Sequence, residues 1–220
     1  NGGHLLFFVD VLYAERDSLQ QGDLIAYARD LNLNDLLFRY GVRINTDLIA
    51  DKHCDKIAVE VGSIGGQSQK QLLPWPYAPL LQPGSENAIV KNQADVLGQF
   101  VNSIDTVEAE GINKTILLTT SDHAYTLSTP AKVQLNSLQT EESIDKFTRK
   151  NIPVAVLLEG KFSSLFANRV SVAQLDTLKN YDQQFLKSSN TPGKIIVVSD
   201  ADIVLNQVSE TIGPLPMGVN

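Results

Sequence analysis

The chain has 220 residues, with 25 acidic and 18 basic side chains and a formal net charge of −7. Hydrophobic residues make up 43% and charged residues 20%, an ordinary globular composition that excludes collagen, coiled-coil and disordered classes. The acid excess, without any long basic run, argues against nucleic acid or an anionic membrane surface as partner. A chain of this length buries about 70% of its extended surface, enough for a real core. Cys54 is the single cysteine, so no intramolecular disulfide can form. No apolar run approaches the roughly 18 residues of a membrane-crossing helix.

In chain order, Asn1-Gly2-Gly3 leads directly into Leu5–Val9. Glycine commonly follows a helix C-terminus, so this opening predicts a helix before the chain and a parent protein longer than the chain. Leu5–Val9, Val154–Leu158 and Lys194–Val198 are continuous apolar runs, which predicts strands buried on both faces of a parallel sheet. Each ends at or near a polar residue: Asp10, Glu159 or Ser199. Between the last two, Ser171 is an expected N-cap, and Val172, Leu175, Leu178, Phe185 and Leu186 form one apolar stripe. Strand, helix and strand at that spacing predict a βαβ unit and a parallel pair. Shorter helices are expected over Glu141–Lys150 and after Asp200 or Asp202, through Val204, Leu205 and Val208.

The middle has a different texture. Asn34–Tyr40 reads as a short helix with a polar cap, ended by Gly41. Val42–Ile49, Ile57–Val61, Lys114–Thr120 and Lys132–Leu138 read as strands separated by Gly62, Gly65-Gly66, Pro83-Gly84 and Gly111. The expected architecture is therefore α/β: a mainly parallel sheet flanked by helices, with a mixed or antiparallel β region inserted over residues 42–138 and an α/β portion over 139–220. Residues 1–220 are read as a fragment of one larger domain. Gly213 to Gly218 reads as extended loop.

The side chains give few chemical leads. Asp200 and Asp202 follow a central strand, where ligands of α/β sheets gather, and Asp10 ends another. Such a trio would suit a divalent cation or an acid/base pair, which makes a hydrolase or metal-dependent enzyme the alternative reading. The plainer role for Asp200 and Asp202 is helix capping. His53 and Cys54 are adjacent, so on a strand their side chains point to opposite faces and do not form a nucleophile pair. His4, His53 and His123 are the three histidines, and their spacing suits no zinc site. No metal or cofactor is implied. In Leu72–Pro79, three prolines in six residues predict a stiff extended segment without ladder pairing. It carries Trp75 and Tyr77, either as core anchors or as a surface for a ligand or partner.

Several blocks together resemble one family. They are Arg29–Val42, Leu73-Pro74-Trp75-Pro76-Tyr77, Ile89-Val90-Lys91-Asn92, Pro153–Gly160, Phe162-Ser163 through Asn168-Arg169, and Val198–Ile203. They look like the GldG family, the gliding-motility-associated ABC transporter auxiliary or substrate-binding proteins of Bacteroidetes. One departure is Ala201, where the pattern leads one to expect glycine. The resemblance implies a parent with transmembrane anchors outside this chain and an extracytoplasmic domain on the periplasmic face of the inner membrane. It implies a fold like the flavodoxin or class I glutamine amidotransferase group. Implied partners are the membrane and ATPase subunits of the transporter, reached through the full-length protein. No catalytic residue carries over, and the expected role is non-enzymatic binding of a partner or ligand.

Overall fold

Runs rich in Ile, Val, Leu and Thr, broken by glycine, proline and Asx turns, produce a chain dominated by strands. The computed structural model describes residues 3–16, 19, 23–64, 67–135, 145–206, 208–209 and 213–214. In order, the strands are β1 His4–Phe8, β2 Leu12–Tyr13, β3 Leu24–Ala28, β4 Val42–Ile44, β5 Asp47–Asp51, β6 Cys54–Ile64, β7 Gln67–Pro83 and β8 Val96–Leu97. They continue with β9 Ile104–Thr106, β10 Ile112–Thr119, β11 Ala124–Ser128, β12 Ala131–Val133, β13 Pro153–Gly160, β14 Gly193–Val198, β15 Val208–Ser209 and β16 Gly213–Pro214. Helix α1 spans Asn34–Tyr40 and helix α2 spans Val172–Asn180. None of the described helices is long and apolar enough to cross a membrane.

The main sheet has seven strands in the order β1-β14-β13-β10-β7-β6, with β8 paired to β7. This corrects the expected flavodoxin-like α/β fold. The three apolar runs are neighbours in one sheet, but only β1 and β14 are parallel. β14 runs antiparallel to β13, with Gly160 opposite Gly193 and Ala155 opposite Val198. The chain therefore leaves and re-enters the sheet at the same end, and no βαβ crossover forms. The remaining ladders of this sheet, β13–β10, β10–β7, β7–β6 and β7–β8, are also antiparallel.

Why the apolar runs misled is visible in the packing. Both faces of β13 and β14 are buried. Val156, Leu158, Ile195 and Val197 belong to one apolar cluster, while Ala155, Leu157 and Val198 belong to the other. Strand-borne side chains supply much of the covering layer. Val42, Ile44, Leu48, Ile104 and Val133 pack into the first cluster, and Ile49 and Ala124 into the second. Their strands pair as the ribbons β4–β9 and β5–β11 and the three-stranded β12-β3-β2. A continuous apolar run signals two-sided burial but not what does the burying. Nor are the strands between 42 and 138 set apart, since β6, β7, β8 and β10 extend the main sheet.

The helical expectations fare unevenly. α1 forms as read and ends at Gly41, whose φ of 98° is left-handed. Its N-cap is Leu33, with no side-chain cap. Ser171 caps α2 with a full capping box to Gln174. Yet α2 stops at Asn180 and buries no residue; Val172 is 74% exposed. It lies on the surface, with Leu175 and Leu178 only partly covered. The helix expected after Asp200 is only a 3-10 turn, Asp202–Val204, with Leu205 extended and Val208 in β15. Ala201 is right-handed (φ −88°), so nothing in that turn demands glycine. Of the expected Glu141–Lys150 helix, residues 145–150 form turns and a bridge, and 141–144 lie outside the described residues. Also outside them lie Asn1-Gly2, the Gly65-Gly66 turn, residues 136–138 of the strand expected from Lys132, and Leu215 onward.

The proline-rich segment is a second correction, because Leu72–Pro79 lies inside β7. The register shows how prolines are admitted. Lys56 pairs with Pro74 and Cys54 with Pro79, so the ladder breaks between them. That bulge leaves Trp75–Ala78 free to turn into the core. Tyr77 O and Pro79 O accept hydrogen bonds from Phe100 N–H and Gly98 N–H. β7 thus changes partner along its length: β6 on the outer half, then β8 and β10. β1 stands at the sheet edge, and Leu5 and Leu6 are exposed rather than buried.

Candidate functional site

The parallel pair β1–β14 brings two strand ends together, and with them Asp10 and the Asp200–Asp202 turn. Asp10 Oδ1 accepts from Ala201 N–H at 2.7 Å, which ties the two ends to each other. Asp200 Oδ1 accepts from Asp202 N–H at 2.8 Å, an Asx-type turn that starts the 3-10 segment. Asp200 Oδ2 accepts from Gln99 N–H at 2.7 Å. The Gln99 side-chain amide donates to Asp202 Oδ2 at 2.9 Å. Beneath them the buried Ser199 hydroxyl donates to Asn102 O and Val154 O. The residues from Gly98 to Asn102 are thereby clamped onto the end of β14.

Electrostatics make this clasp unusual. Asp200 is buried, and burial pushes its carboxyl up to about 8; Asp202 and Asp10 add to the rise, and the Gln99 N–H opposes it. Burial also raises Asp202, with Asp10 the next cause. At neutral pH the Asp200 carboxyl is therefore largely protonated. A neutral acid with two backbone donors, shut away from solvent, holds chain together; no substrate can reach it as built. Among the described residues no group of His, Cys, Asp and Glu is arranged to hold a metal ion.

The other sequence-predicted residues fall elsewhere. Trp75 and Tyr77 are 1% and 3% exposed, so both are core anchors and present no surface. Their rings meet edge to face at 5.9 Å, and Trp75 meets Phe100 at 5.4 Å. Phe100 follows Gln99, so the aromatic core and the carboxylate clasp share one loop. His53 and Cys54 do not cooperate: His53 Nε2 pairs with Asp95 at 2.6 Å, and burial pushes the Cys54 thiol up to about 11. Sequence reasoning missed Gln99, which carries no motif. It also passed over Asp51, which is fully buried and accepts from Ser121 and His53 N–H groups. An Asx signal before a turn was present there, but burial was not readable from it.

The class defined by this geometry is a β-rich module with a closed, hydrogen-bonded clasp at its strand ends. A family model described as an ABC-type uncharacterized transport system matches residues 1–220, and the chain belongs to this family of ABC-transporter auxiliary proteins. No curated protein and no solved structure shows a match.

Proposed function

We propose that the chain is a non-catalytic extracytoplasmic domain of an ABC-transporter auxiliary protein, working at the periplasmic face of the inner membrane. It acts by binding a partner or ligand for the transporter, within a system of the GldG kind that serves gliding motility or secretion. The observation that carries this reading is the family match along the whole chain. Two features support a binding role over catalysis. The strand-end carboxylates spend their oxygens on backbone and Gln99 donors, and the thiol of Cys54 is held protonated. Affinity purification of the full-length protein from cross-linked membranes tests it. Membrane and ATPase subunits of one ABC transporter are expected to co-purify in stoichiometric amounts. Recovery of intact full-length protein without either subunit would overturn the proposal.

A further inference from the structure

A cleft of about 320 Å³ lies where the ends of β1 and β3 meet the start of α1. Its apolar walls include Val9, Val11 and Leu37, all buried, so the walls belong to the core. Leu31 stands at its margin, 37% exposed. The cation in the lining is Arg29.

Arg29 is held from several sides. Its N–H donates to Val11 O at 2.8 Å. Its guanidinium carbon lies 4.4 Å from the Tyr13 ring centre, and Tyr13 stacks on Tyr27 at 4.9 Å. The Nε is buried and has no hydrogen-bond acceptor among the described residues. No carboxylate among them forms an ion pair with Arg29. Asp30, which shares the lining, accepts from Asn32 N–H and forms no ion pair with Arg29. A cationic donor buried without an acceptor is costly, and a guanidinium fork is shaped for carboxylate or phosphate oxygens.

We propose that this cleft binds a small amphiphilic anion, a carboxylate or phosphate on a short apolar body. Arg29 holds the anionic head, and Val9, Val11 and Leu37 enclose the body. The volume sits at the small end of ligand sites, which run from about 300 to 1,000 Å³, so the body is limited to a short chain or single ring. This inference does not rest on the transport role.

The test is a ¹H–¹⁵N titration of the chain with hexanoate, hexyl phosphate and hexanol. Saturable shifts centred on Val9, Val11, Leu31 and Leu37 are expected with at least one anion, and weaker binding of hexanol. Which anion binds more tightly distinguishes a carboxylate from a phosphate ligand. Arg29→Gln is expected to weaken anion binding about tenfold or more and to leave hexanol unchanged. Leu31→Trp, which crowds the margin, should weaken all three probes. Absence of saturable shifts with both anions, or equal affinity for hexanol, overturns the proposal. So does an Arg29→Gln chain that binds the anions as the original does. Should Arg29→Gln fail to fold, the anion-against-hexanol comparison on the unaltered chain decides alone.

Discussion

Asp200→Asn offers the sharpest perturbation of the strand-end clasp. In the folded chain the Asp200 carboxyl is pushed up to about 8 from an ordinary 3.8, chiefly by burial. Between those limits the folded state keeps a proton that the unfolded state has released. Stability from this group is therefore fully present below about pH 4 and is lost as pH rises through about 8. At about 1.4 kcal/mol per pH unit, the whole interval corresponds to roughly 6 kcal/mol. That is an upper figure, because opening the Asp202–Val204 turn would hydrate the carboxylate before the full penalty accrues. Asp202, also raised, acts in the same direction. Asp23 and Asp105 are lowered below 3.8, so they contribute above that value and lose their contribution only in stronger acid. The window from pH 5 to 8 thus leaves Asp23 and Asp105 out, and comparison with Asp200→Asn, which keeps all three histidines, isolates the clasp. Urea unfolding followed by the fluorescence of Trp75, the single tryptophan, reads it directly. The original chain should lose several kcal/mol from pH 5 to pH 8. Asp200→Asn should flatten that slope. At pH 5 it should cost about 1–2 kcal/mol, since one amide oxygen cannot accept from both Gln99 and Asp202 N–H groups. At pH 8 the variant should equal or exceed the original. A stability that is flat or rises from pH 5 to 8, or an Asn variant with an unchanged slope, would refute the reasoning.

Further outcomes follow from single contacts. Trp75→Ala should cost about 3–5 kcal/mol, while Trp75→Phe should cost under about 1.5 kcal/mol, because the indole Nε1 is buried without an acceptor among the described residues. Equal damage from both, measured by urea unfolding followed by circular dichroism because neither variant keeps the tryptophan, would contradict this. Gly160→Ala would place its Cβ at the Gly111 carbonyl oxygen, which as backbone cannot swing away. A loss of about 1–3 kcal/mol in the same assay is expected, and an unchanged midpoint would contradict it. The Cys54 thiol, pushed up to about 11, should react with a disulfide reagent at pH 8 roughly a hundredfold more slowly than a free cysteine, and normally once unfolded. Native labelling at the free-cysteine rate would contradict the burial argument.

What the sequence determined by itself is local. The apolar runs at Leu5–Val9, Val154–Leu158 and Lys194–Val198 mark strands, Ser171 marks a capped helix start, and Gly41 marks a helix end, because each depends on neighbours within a few residues. The placement of Asp10, Asp200 and Asp202 at strand ends was legible for the same reason. Strand direction was not. An apolar run reports burial on both faces, and β13 is buried equally well against β ribbons as against helices, so the antiparallel β13–β14 pair and the idle helix α2 follow only from tertiary packing. The prolines of β7 likewise forbid a regular ladder, but only the long-range register with β6 turns that prohibition into a bulge that sends Trp75 and Tyr77 inward. Gln99 reaches the clasp from a hundred residues away in the chain. Contacts of that separation leave no periodicity for a sequence to display, because they are selected by the shape of the whole core.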